Sequence, residues 1–194
     1  MGRIFLTGYM GSGKSTLGRA LAKASGMGFV DLDGFIEERT HRTVKEIFES
    51  WGEDGFRMME RKLLHEVAEF DDVVVACGGG TPCFFDNMDF MNSHGITVFL
   101  DVRMVRLVER LRTARAGRPL IAGKSHDELL NFVLAGLEKR LPFYRKAHLR
   151  IDGGKLEDAS QIEETVRELM EMLERYTAER VNISERVNIG KWRK

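Results

Sequence analysis

The sequence predicts an α/β fold in which one parallel sheet carries helices on both faces. Two observations point there. Short apolar runs alternate with longer amphipathic stretches along most of the chain, the pattern of strands joined by helical crossovers. The first apolar run passes straight into a glycine-rich segment, GYMGSGKST at residues 8 to 16, where a strand should turn into a helix. The length of 194 residues suits a single domain, which would bury about 70% of its extended-chain surface.

The elements follow in order. RIFLT, residues 3 to 7, reads as a buried strand, and residues 14 to 24 after it as a helix. A second strand is expected over Phe29 to Leu32, and a helix over Asp54 to Phe70. The β-branched run VVVA, Val73 to Ala76, is a third strand, followed by a helix over Asp86 to Ser93. Thr97 to Val102 and Leu149 to Ile151 complete five strands, with helices over Arg103 to Leu111 and Asp127 to Leu141 between them. For the last helix, Ser160 and Glu163 make a capping-box pattern, with Ile162, Val166, Leu169 and Leu173 behind it at 4-3-4 spacing.

Two segments lie outside this pattern. TARAGRPLIAGKS, residues 113 to 125, is basic and long for a tight connection, so a mobile lid is expected there. Near the end, ERVNIS (179 to 184) is echoed at once by ERVNIG (185 to 190), far too short a repeat for a solenoid. Residues 1 to 176 are read as the domain and 177 to 194 as a C-terminal tail.

Composition narrows the function classes. Lys plus Arg and Asp plus Glu number 30 each, so no global field advertises a nucleic-acid or membrane partner. No apolar run approaches the roughly 18 residues of a membrane span. The start of the chain carries neither a signal-peptide pattern nor, with Leu6, a myristoylation pattern. Cys77 and Cys83 form neither a disulfide framework nor a zinc pattern and suit a reducing compartment. A cytoplasmic protein, acting as a monomer on small molecules, is expected.

GYMGSGKS fits G-x-x-x-x-G-K-[ST] at Gly8, Gly13, Lys14 and Ser15. Glycines let successive backbone N–H groups of Gly11, Ser12, Gly13, Lys14, Ser15 and Thr16 converge on phosphate oxygens, and the helix after them offers its positive end. Lys14 adds charge at the transferring phosphoryl group, and the Ser15 hydroxyl suits Mg²⁺. The second strand ends FVDLDG. Strand alternation would put Asp31 and Asp33 on one side of its C-terminal end, one near the metal's water shell and one near a substrate hydroxyl. The plain alternative is a helix N-cap beside a solvated Asp.

A phosphate loop alone does not separate a switch, a motor and a small-molecule kinase. Arg57 and Glu60 lie at i, i+3 and can pair, although such pairs are ordinarily solvated. Gly78, Gly79 and Gly80 end the third strand, where bare backbone can approach a ligand. Arg140 stands near a helix end before Pro142, a place a helix dipole also favours. Together these read as an acceptor pocket, and the two arginines suit a carboxylate. Arg118, in RPL, would close over the phosphates. A nucleotide-dependent switch or binding module is the alternative from another class, but CGGG stands where a switch would carry DxxG. Another small-molecule kinase, such as a gluconate kinase, is the nearer alternative.

GYMGSGKST, DLD, IFESWGEDGFRMMER, CGGGTP, RPL and RLPFY in this order resemble the shikimate kinase family over about residues 3 to 175. The resemblance implies a three-layer α/β/α P-loop fold with a five-stranded parallel sheet in the order 2-3-1-4-5 and a mobile lid. It implies ATP- and Mg²⁺-dependent phosphorylation of the 3-hydroxyl of shikimate, within chorismate and aromatic amino-acid biosynthesis. It also implies site roles. Lys14 and Arg118 would serve the phosphates, and Ser15 and Asp31 the metal. Asp33, Arg57, Gly79, Gly80 and Arg140 would contact shikimate, with Glu60 orienting Arg57. Arg110 or Arg112 would lie near adenine, as would the loop at Asp152 and Gly153. Nothing functional carries over to residues 177 to 194.

Overall fold

The computed structural model describes residues 2–113, 121 and 123–191, with side chains described as far as residue 182. Five strands, β1 (Arg3–Thr7), β2 (Gly28–Asp31), β3 (Val73–Ala76), β4 (Ile96–Asp101) and β5 (Leu149–Asp152), form one sheet. All pairings are parallel, in the order β2-β3-β1-β4-β5. The helices are α1 (Lys14–Ser25), α2 (Leu32–Thr40), α3 (Val44–Val67), α4 (Asn87–His94), α5 (Met104–Thr113), α6 (His126–Tyr144) and α7 (Ala159–Lys191).

Strand alternation divides the core. Phe5, Val73 and Val75 face one way and pack with Leu32, Ile36, Leu64 and Met91 from α2, α3 and α4. Ile4, Leu6, Val74, Val98 and Leu100 face the other way, against Leu17 and Leu21 of α1 and Val166, Leu169 and Leu173 of α7. A third cluster joins Phe99 and Val102 to Leu107 of α5 and Leu129, Val133 and Tyr144 of α6. Apolar residues on both strand faces are what a sheet covered on both sides requires.

The structure alters several sequence-based boundaries. β2 stops at Asp31, and Leu32 already begins α2. Asp31 and Asp33 therefore do not alternate along one strand. Asp31 caps α2, its side chain accepting from the Gly34 N–H, and Asp33 sits in the first turn. α2 and the first half of α3 lie outside the expected elements, although the sequence carries a signal for α3. Thr43 and Glu46 form a capping box, with Thr43 N donating to Glu46 Oε2 at 2.7 Å and Glu46 N to Thr43 Oγ1 at 3.2 Å. Gly52, at φ 69° and ψ −175°, then kinks α3, so the helix runs through the glycine rather than starting after it.

α6 continues past Pro142 to Tyr144 instead of ending at Leu141, because packing of Tyr144 outweighs the one hydrogen bond proline removes. The cap of α7 is Asp158, whose Oδ1 accepts from Gln161 N at 2.9 Å, not Ser160, which lies inside the helix. Of the expected lid, residues 114–120 and 122 lie outside the described residues. At its margin Ile121 is buried, and Ser125 with Glu128 makes a second capping box at the start of α6. Residues 177–191, expected as a tail, continue α7.

Candidate active site

A cavity of about 790 Å³ opens at the C-terminal ends of the strands, where an open parallel sheet offers ligands its loop backbone and helix N-termini. The turn from β1 into α1 forms its floor. Gly8 has φ +142°, and a Cβ there would stand 2.8 Å from the Leu100 carbonyl oxygen. Gly13 has φ +96°, and a Cβ there would meet Leu156 at 2.6 Å. Both positions demand glycine, and the loop they permit brings Gly11, Gly13, Lys14, Ser15 and Thr16 to the cavity wall. Ser12 is buried within the loop, its N–H donating to the Tyr9 carbonyl at 3.1 Å. Lys14 Nζ donates to the carbonyls of Gly8 and Tyr9, each at 2.9 Å. The N-terminus of α1 points its backbone donors into the same space, an anion site by construction.

Both aspartates line the cavity, despite arriving there by a different route from the one expected. Ser15 Oγ donates to Asp31 Oδ2 at 2.6 Å, so a hydroxyl and a carboxylate oxygen stand together beside the phosphate loop. Two hard oxygen donors of this kind fit Mg²⁺, which completes its shell with water and substrate phosphates. Asp33 Oδ1 lies against Gly78, where a Cβ would approach it to 2.9 Å and Glu60 Oε1 to 3.0 Å. Loss of hydration inside the cleft, then repulsion from Glu60 and Asp31, outweighs the pull of Lys14 and Arg57 and pushes the Asp33 carboxyl up to about 6. Asp33 remains open to the water of the cavity, which keeps it available to a substrate hydroxyl.

Arg57 and Glu60, which the sequence allowed to be a solvated bridge, are buried at 9% and 0% exposure. Arg57 Nη1 donates to Glu60 Oε2 at 2.8 Å, and Nη2 to Glu53 Oε1 at 3.3 Å. The other oxygen of Glu60 accepts from Thr81 Oγ1 at 2.5 Å. Gly80 lies against the guanidinium, and a Cβ there would meet its atoms at 2.5 to 2.8 Å. On the far side of the glycine run, a Cβ at Gly79 would stand 3.3 Å from Arg140 Nη1. Arg140 also lies over the Tyr9 ring, 5.1 Å from its centroid. The Gly79 carbonyl accepts from Tyr144 Oη at 2.5 Å, which anchors the glycine strand to α6. Two guanidinium groups thus flank one stretch of bare backbone at the edge of the cavity. That arrangement can hold a planar anion from two directions.

On the opposite side stands Arg110. It lines the cavity and donates from Nη1 to Gly153 O at 2.9 Å and from Nη2 to Gly154 O at 3.0 Å, while Arg112 is exposed and away from the cavity wall. Arg118 lies outside the described residues. Tyr9, Thr81 and Tyr144 were not anticipated as parts of the site. The RLPFY segment held Tyr144 in view, but only packing across α6 gives it a partner. Cys77 and Cys83 are unpaired thiols, Cys77 packing on the Met91 sulfur at 3.5 Å. No helix among the described residues is long and apolar enough to cross a membrane.

Comparison with known proteins agrees with this fold. The family model for shikimate kinase matches residues 10–174. A shikimate kinase of Phocaeicola vulgatus is 57% identical over 173 residues, covering 89% of this chain and 99% of the relative. The crystal structure of shikimate kinase from Bacteroides thetaiotaomicron superposes with a TM-score of 0.87 at 55% identity, over 89% of this chain and 98% of that one. Shikimate kinase from Acinetobacter baumannii, solved in complex with shikimate, gives a TM-score of 0.77 at 32% identity, over 89% and 93% of the two chains.

Proposed function

The chain belongs to the shikimate kinase family, and on that premise we propose how its residues divide the reaction. It is an ATP-dependent kinase that phosphorylates shikimate in aromatic amino-acid biosynthesis. The observation that supports the division is the meeting, at one end of the sheet, of a phosphate-binding loop with two arginines on either side of Gly79 and Gly80.

The backbone of Gly11 to Thr16 and the Lys14 ammonium hold the β- and γ-phosphates. Arg118 adds charge from the lid, and Arg110 closes the nucleoside end through the Gly153 loop. Ser15 and Asp31 would hold Mg²⁺, which would supply charge neutralisation on the phosphates. Arg57, oriented by Glu60, and Arg140 grip the shikimate carboxylate, with Gly79 and Gly80 letting the ring approach the backbone. Asp33 accepts a hydrogen bond from the 3-hydroxyl. As the oxygen of that hydroxyl bonds to the γ-phosphorus and the bond to the β-bridging oxygen breaks, the hydroxyl proton passes to Asp33 and ADP leaves. Positioning and charge neutralisation do most of the work, because a loose phosphoryl transition state asks little of a base until late. The protein is proposed to work as a cytoplasmic monomer on small molecules.

A coupled assay of ADP release across shikimate, quinate, gluconate and nucleoside monophosphates tests the reading. Shikimate should give the highest kcat/KM. Arg140→Ala should weaken shikimate binding by about 2–5 kcal/mol and spare ATP. Faster turnover of gluconate, or an unchanged shikimate KM in Arg140→Ala, would overturn the acceptor assignment.

A further inference from the structure

We propose that Phe84 is a positioning residue for the acceptor, its ring fixing the plane of the Arg57 guanidinium. The proposal rests on the reading of Arg57 as a ligand of the substrate carboxylate. The Phe84 ring centroid lies 4.1 Å from Arg57 Cζ, closer than that of Phe56 at 5.1 Å. A guanidinium carries its donors in its own plane, so an aromatic ring on its face holds the group without consuming any of them. Glu60 and Glu53 take one nitrogen each, and Nε is buried with no hydrogen-bond partner among the described residues. Donors therefore remain along the edge of the plane for an incoming carboxylate, provided the plane does not rotate.

The loop that carries Phe84 is fastened to the same helix as Arg57. Thr81 Oγ1 donates to Glu60, Asn87 Nδ2 to Thr81 O at 2.9 Å, and Asn87 N to Phe84 O at 3.2 Å, while Arg61 pairs with Asp86. Glu60 thus holds both the guanidinium and the loop that brings a ring to its face. Phe84 belongs to none of the three apolar cores, and it is only half-buried. A ring with that placement contributes little as core filling, and its close contact is with a charge. Without the ring, Arg57 keeps its ion pairs but gains freedom to swing about them.

The test compares Phe84→Leu, which keeps apolar bulk and loses the π face, with Phe84→Tyr, which keeps both. Steady-state kinetics and calorimetric titration with shikimate are the readouts. Phe84→Leu should raise shikimate KM and Kd about tenfold, with ATP KM and kcat within about twofold of the parent, and Phe84→Tyr should restore them. Adding Phe84→Leu to Arg57→Ala should weaken shikimate binding no further than Arg57→Ala alone. An unchanged shikimate Kd in Phe84→Leu, or additive losses in the double variant, overturns the proposal. If Arg57→Ala itself leaves shikimate affinity untouched, the underlying carboxylate reading falls instead.

Discussion

Replacing Glu60 with alanine should lower both stability and acceptor affinity. Glu60 is 0% exposed and uses both carboxylate oxygens, Oε2 for Arg57 at 2.8 Å and Oε1 for Thr81 at 2.5 Å. Among the described residues, its removal leaves the buried guanidinium paired only with Glu53, whose side chain is 58% exposed and is screened by solvent. Breaking a buried ion pair from one side costs about 3–5 kcal/mol, and the lost hydroxyl bond adds about 1 kcal/mol. The Glu53 contact and water entering the space left behind offset part of this, for a net loss of about 3 kcal/mol. At about 2–4 °C per kcal/mol for a chain of this size, Tm should fall by about 6–12 °C. Glu60→Gln keeps the shape and should cost about half as much. Thermal unfolding followed by circular dichroism, without ligand, reads the loss directly, and shikimate KM should rise in parallel. A Tm for Glu60→Ala within about 2 °C of the parent would refute the reasoning, because it would mean that solvent already carries the pair.

Two further outcomes are expected. The Asp33 carboxyl is raised from 3.8 to about 6, so its charged form prevails only above that pH. kcat/KM for shikimate should therefore rise about tenfold from pH 5 to pH 7 as the ionised fraction climbs from about 0.1 to about 0.9. Fold stability responds with the opposite sign: the folded state binds this proton more tightly than the unfolded chain, so the contribution is lost as pH rises from about 4 to about 6. An acid limb in kcat/KM at or below about pH 4.5 would count against the role of Asp33. Deleting residues 177–194 should leave kcat and both KM values within about twofold, since the cavity lies at the other end of the strands from the groove beside Ile4, Ile96 and Val181. A loss of kcat beyond about fivefold would show that the end of α7 supports the site.

Much of the donor half of the site was legible in the sequence because it is local. The phosphate loop is a run of neighbours whose spacing dictates its own backbone, and Gly8, Gly13, Lys14 and Ser15 fall where GYMGSGKS puts them. The inner strands β1, β3 and β4 were legible for a similar reason, since strands buried along nearly their whole length are apolar. α2 and the start of α3 lie outside the expected elements even though Thr43 and Glu46 announce a helix, because Gly52 and Gly55 read locally as poor helix formers.

The acceptor half depended on tertiary structure. Spacing put Arg57 and Glu60 on one face of a helix, but only the packing of α3 against the loop after β3 removes their water and turns a surface pair into a buried one. Asp31 and Asp33 do not share a strand face, since a helix begins between them, and they meet in the cavity because β2 ends at its rim. Arg110 was separated from Arg112 only by the direction each takes from α5, and Phe84 reaches Arg57 across 27 positions of chain. Local spacing determined the loop that binds phosphate. Contacts between distant segments, whose energies depend on which groups lose their water together, decided the rest of the site.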